Sequence, residues 1–156
     1  METLKIDKAK ATKLYKEVPE WFRQELCEIF GNAIKGTIID RIKTFEDACN
    51  EMGINPDELT SSFDTRDERA YKKLKVIIKV INEGWEPDWS NSSEAKWYPW
   101  FAARPSGFGF SDSAYGGWFT FTACGSRLCL SSKEKAEYVG KQFVDIYNEF
   151  LTIKTK

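Results

Sequence analysis

The 156-residue chain contains no histidine. That absence removes Ser-His and Cys-His nucleophile pairs, imidazole general bases and the commonest metal ligand together. An excess of charge is also missing: 23 basic against 24 acidic residues leave a formal net charge of −1. A dedicated duplex-DNA binder usually carries a clear basic surplus, so that class is disfavoured. The longest basic run, Arg66 to Lys79, is diluted by Asp67 and Glu68. No apolar stretch approaches the ~18 residues of a membrane span. Four cysteines at 27, 49, 124 and 129 lack CxxC spacing and read as reduced thiols, with no metal and no cofactor implied. The first residues, Met1 to Lys8, are polar and show no signal-peptide pattern, so the expected location is cytoplasmic. These exclusions make a non-enzymatic reading the expected one.

Aromatics are what the chain has in quantity. Twelve of the 37 residues from Trp85 to Phe121 are aromatic, including five of six tryptophans. They are interleaved with Ser, Asn, Gly and Pro more than with charge. Such rings supply apolar area, flat stacking faces and, in Trp and Tyr, a polar edge. For any single ring the core is the ordinary destination. Twelve exceed what one small sheet face hides, so some are expected to line a cleft or a partner surface.

Periodicity divides the chain into a helical half and a sheet-bearing half. Lys8–Lys16 suggests a short helix, and Pro19 opens a second whose apolar positions are Phe22, Leu26, Ile29 and Phe30, stopped by Gly31. Ile34–Ile42 fits strand or helix. Thr44 with Asp47 forms a capping-box pattern, and Gly53 ends that helix. Thr60–Asp64 is polar and marks the expected boundary between an N-terminal helical segment, 1–64, and an aromatic-rich α+β core, 65–156. Arg66–Glu83 carries a strong helical stripe of Tyr71, Leu74, Ile77, Ile78 and Ile81.

Four strands are expected beyond it: Lys96–Ala103, Phe108–Phe110, Trp118–Cys124 and Arg127–Leu130. Pro99 argues for an edge or a bulge in the first. Ser131 with Glu134 then opens one final helix to Leu151, and Gly140 inside its apolar face predicts close packing on the sheet. The fold class is therefore α+β: a small antiparallel sheet packed by two amphipathic helices, with additional N-terminal helices that could mediate homo-oligomerisation.

The candidate ligand-binding residues are Trp85, Trp89, Trp97, Tyr98, Trp100, Arg104, Trp118 and Arg127. The rings can stack on a planar group, and a strand arginine can fork onto a carboxylate or phosphate. The commoner role for Arg127 is a salt bridge to Glu134 or Asp112. Lys96 and Lys141 read as solvated or snorkelling cations. Asp88 and Asp112 could be paired acids, although turn or cap roles are commoner. Ser106–Gly117, with four glycines and three serines, matches neither a P-loop nor GxGxxG.

Four segments, Val80–Trp89, Trp97–Phe101, Gly125–Cys129 and Ala136–Phe143, 28 of the 156 residues, resemble a family of small proteins carried by gut Bacteroidetes, their prophages and crAss-like bacteriophages. The resemblance implies a phage or prophage origin and action inside a bacterial host cell, and it carries no catalytic residue. Together these features favour a non-catalytic protein that binds a small, planar, anionic, nucleotide-like ligand and could act as a sponge for a bacterial defence signal. The alternatives are a single-stranded nucleic-acid-binding accessory protein and a virion or protein-interaction component.

Overall fold

A computed structural model describes residues 6–119 and 125–153. The chain packs as two compact units, one ending at Arg41 and the other beginning at Ile42. In the first, α1 (Lys8–Glu17) starts at Asp7, whose carboxylate accepts the Lys10 N–H at 2.8 Å. Helix α2 (Glu20–Phe30) follows Pro19 and stops at Gly31, where φ is +74°. Ala11, Leu26 and Ile34 form the small core, closed by Leu14, Tyr15, Phe22 and Phe30. Ile29 lies outside it and is exposed, contrary to its expected place in the apolar stripe.

The ambiguous 34–42 stretch is helical. A 3-10 turn over Asn32–Lys35 leads to α3 (Ile38–Arg41). Gly36, at φ +110°, breaks any continuous strand there. Asp40 Oδ2 accepts both the N–H and the hydroxyl of Thr37, which stabilises a helical turn instead.

The second unit begins with α4 (Phe45–Met52), entered through the expected Thr44–Asp47 capping box and left at Gly53 in the left-handed region. After α5 (Pro56–Leu59), a second capping box, Thr65–Glu68, opens α6 (Arg66–Ile81). Leu74, Ile77, Ile78 and Ile81 are buried along its core face. Helix α4 packs on α6, and Lys73 Nζ lies 5.4 Å from the Phe45 ring centre. Residues 42–64 thus belong to the second unit, and the division falls after Arg41, whereas the sequence suggests the polar 60–64 stretch.

Strands β1 (Lys96–Arg104) and β2 (Gly107–Gly116) form an antiparallel hairpin with a bulge between Trp100 and Phe101, next to Pro99. The sheet has these two strands alone among the described residues. Arg127–Leu130 is not a strand: a 3-10 turn covers Ser126–Leu128, and only Leu130 bridges to Trp97. Of the expected strand from Trp118, residues 118–119 lie past β2 and 120–124 fall outside the described residues.

The single final helix is two, α7 (Lys133–Gln142) and α8 (Val144–Leu151), separated by Phe143 at φ −112°, ψ 27°. The bend lets α7 lie across both strands while α8 packs on α6 and β2. Its cap is Ser132, one residue later than expected, with the side chain accepting the Lys135 N–H. Gly140 is tightly seated: a Cβ there would meet the Phe110 ring and come within 2.7 Å of Pro99 Cβ. The architecture is thus α+β, a small antiparallel hairpin packed by amphipathic helices. No helix among the described residues is long and apolar enough to cross a membrane.

Candidate functional site

Helix α6 ends at Asn82, and the chain turns sharply through Glu83 (φ +52°) and Gly84 (φ +85°). A glutamate in the left-handed region is uncommon, and here it permits a reversal. The Trp85 N–H returns to the Asn82 carbonyl at 2.9 Å, folding the 85–89 loop back beside the helix end. Opposite it runs the Gly125–Cys129 turn.

Asn82 ties the two together. Its buried side chain donates to the Cys129 carbonyl at 2.8 Å and accepts the Ser131 N–H at 3.1 Å. Between these walls lies an open cleft of about 490 Å³. Trp85, Pro87 and Trp89 form its aromatic side, Lys75, Ile78 and Lys79 its helical side, and Ser126 and Arg127 its far rim.

Trp89 is held from beneath. Lys96, the first residue of β1, is 1% exposed, and its Nζ lies 5.4 Å from the Trp89 ring centre. The ammonium donates to the carbonyls of Asp88 (2.6 Å) and Asn91 (2.8 Å) and pairs with Glu94 Oε1 at 3.4 Å. Glu94 Oε1 also accepts the Asp88 N–H at 2.9 Å. Lys96 is therefore the buried strut of the 88–94 loop, not the solvated or snorkelling cation expected from sequence. Asp88 takes the turn role: its Oδ1 accepts the hydroxyl and N–H of Ser90, which hold its carboxyl below the usual range. Asp112 likewise accepts the neighbouring Ser113 N–H.

The cleft is electropositive. Lys75 and Lys79 stand one turn apart on α6, with Lys75 Nζ 4.9 Å from the Tyr71 ring centre, and Arg127 faces them across the opening. Among the described residues none of these three is in an ion pair, so Arg127 does not take its expected bridge to Glu134 or Asp112. Among the described residues Glu86 is the one acid lining the cleft.

Of the eight candidate residues, Trp85, Trp89 and Arg127 meet here. The other five are not part of the lining. Trp97 packs against Tyr115 across the hairpin, with ring centres 4.8 Å apart. Tyr98 is buried and belongs to the core. Trp100 is 55% exposed and Trp118 69% exposed, while Arg104 lies at the far end of the hairpin, its guanidinium over Gly109.

Lys75, Lys79, Asn82, Glu86 and Lys96 were not candidates. The signal for the first two was present in the Arg66–Lys79 basic run, and their i,i+4 spacing placed them on one face. A second depression, of about 500 Å³, lies by the hairpin turn, where Arg66 is tied to Glu149 at 2.9 Å. Asn148 there is spent on both the N–H and the carbonyl of Phe108. No family model, curated protein or solved structure matches the chain.

Proposed function

We propose that this chain is a non-catalytic binding protein for a small planar anion of nucleotide type, held in the cleft at the end of α6. The observation that carries this reading is the convergence of two tryptophans, Trp85 and Trp89, with three cations, Lys75, Lys79 and Arg127, that form no ion pair among the described residues. Ring faces stack on a base of any sequence, and lysine and arginine supply charge-assisted hydrogen bonds to phosphate. Clefts of this size, with apolar walls and a few convergent polar groups, are the usual form of small-molecule sites. In the phage setting that the resemblance implies, such a protein would hold a nucleotide away from the host enzymes that respond to it.

Native mass spectrometry of the purified protein, before and after denaturation, tests capture directly. Release of a compound of nucleotide mass is the expected result. Titration of an empty sample with nucleoside monophosphates should then quench tryptophan emission, with the quench lost in Trp89→Leu. An empty protein whose emission no nucleotide alters would end this reading.

A second reading has its own observation. Trp100, Tyr115, Trp118 and Phe119 are exposed along and just past the hairpin, and exposed rings form stacking platforms for single-stranded nucleic acid. Strongly salt-dependent binding of an oligonucleotide, abolished by Trp100→Ser but not by Trp89→Leu, would select it.

A further inference from the structure

The charge balance of the cleft narrows the ligand beyond a nucleotide-like anion, provided the proposed binding reading holds. The carboxylates nearest the cleft are committed elsewhere. Glu83 pairs with Lys135 at 3.0 Å. Asp88 is occupied by the Ser90 hydroxyl and N–H. Glu94 serves Lys96 and the Asp88 N–H. Glu83 and Glu94 are thus matched by their own cations, Asp88 lies outside the lining with its carboxylate turned to Ser90, and within the lining Glu86 offsets one of the charges of Lys75, Lys79 and Arg127. Two lysines at i,i+4 repel each other, a small cost that an anion between them would reverse. The residues lining the cleft therefore carry a net charge of +2, from Lys75, Lys79 and Arg127 against Glu86.

We infer that the ligand presents a doubly charged terminal phosphate, a phosphate monoester, and not a single cyclic diester. A monoester carries close to two negative charges at pH 7 because its second pKa is near 6, whereas a diester carries one per phosphate. The added charge meets lysine and arginine cations that outnumber the lining acid, at the mouth of an open cleft. There a unit charge changes affinity by about tenfold or more. The base stacks against Trp85 and Trp89, and the phosphate faces Lys79 and Arg127.

The test uses the full chain and three matched probes, adenosine, adenosine 5′-monophosphate and adenosine 3′,5′-cyclic monophosphate, with the guanosine set in parallel. Affinities are measured by calorimetry at pH 7.5 and pH 5. The monophosphate should bind about tenfold more tightly than the cyclic compound at pH 7.5. That gap should close at pH 5, where the monoester loses its second charge while lysine and arginine keep theirs. Lys79→Glu should remove the gap with a fall of at most a few degrees in melting temperature, since Lys79 is exposed and its charge meets only the last turn of α6.

Equal or tighter binding of the cyclic compounds at pH 7.5 would overturn the inference and leave the binding reading standing. So would a gap that survives Lys79→Glu. Failure of every probe, the uncharged nucleosides included, would overturn both.

Discussion

Replacing Lys96 by methionine isolates the charge at the centre of the 88–94 loop, because methionine keeps most of the apolar stem. Lys96 is 1% exposed and its ammonium serves the Asp88 and Asn91 carbonyls at 2.6 and 2.8 Å and Glu94 at 3.4 Å. Each charge-assisted hydrogen bond contributes about 1.5–3 kcal/mol net. Against this, the variant no longer has to desolvate an ammonium, and Glu94, 26% exposed, keeps its bond from the Asp88 N–H. Removing one partner of a buried pair usually costs about 3–5 kcal/mol. The lower figure, about 3 kcal/mol, fits a cage whose carboxylate still reaches water. For a protein of this size that corresponds to a fall of roughly 6–12 °C in Tm. Urea titration followed by far-UV circular dichroism measures it. Emission from Trp89, whose ring faces the ammonium at 5.4 Å, should also shift before the global transition. Amides 89–94 should exchange faster than those of α6. A Lys96→Met protein within 0.5 kcal/mol of the parent, with unchanged exchange at 89–94, would refute the strut.

Asn82→Ala should cost about 2–4 kcal/mol in urea unfolding, because it removes a buried hydrogen bond to the Cys129 carbonyl and the acceptor of the part-buried Ser131 N–H. Gly140→Ala should be a net loss of roughly 1–2 kcal/mol. The new methyl meets Phe110 and Pro99, and overpacking outweighs the ~1 kcal/mol gain in helix propensity; a more stable variant would show that the strands yield. Stability should stay flat from pH 7 to about 5 and fall below about pH 4. Asp64 is held below its usual range by the Lys72 hydrogen bond and then by the Ser61 N–H, and Asp88 by Ser90. Burial pushes Asp47 up, yet N–H groups of Lys43 and Thr44 outweigh it and its carboxyl too lies low. A carboxyl depressed in the native state stabilises the fold above its unfolded value, and that contribution is lost as pH falls through the native one. Urea midpoints across this range check the sign, and Asp64→Asn should soften the fall. Cys49, whose thiol is pushed up by burial and by Glu46, with Lys73 opposing, should resist alkylation at pH 7.5. Peptide mapping should find part-buried Cys27 labelled before Cys49 and Cys129.

Helices were the legible part of the sequence wherever a local bond defines them. Thr44 and Asp47 read correctly because both halves of that capping box lie within three residues. Ser131 and Ser132 show where such reading stops. Each is followed three residues later by a residue able to complete a first turn, and the local pattern favoured Ser131 with Glu134. The structure starts α7 from Ser132, because the Ser131 N–H is already bonded to Asn82, 49 residues earlier in the chain. The candidate site divides in the same way. Trp97, Tyr98 and Trp100 are neighbours in sequence, but successive strand residues face opposite sides of the sheet. Tyr98 enters the core, and Trp97 turns to Tyr115. Trp85 and Trp89 share a loop, and their nearness was legible. Their meeting with Arg127 was not, since it depends on the Asn82 clamp that draws the 125–131 segment to the end of α6. One buried amide thus decides both where the last helical pair begins and which cation faces the tryptophans. A cleft whose two walls are joined in this way has no local sequence signature, even though every residue in it is ordinary.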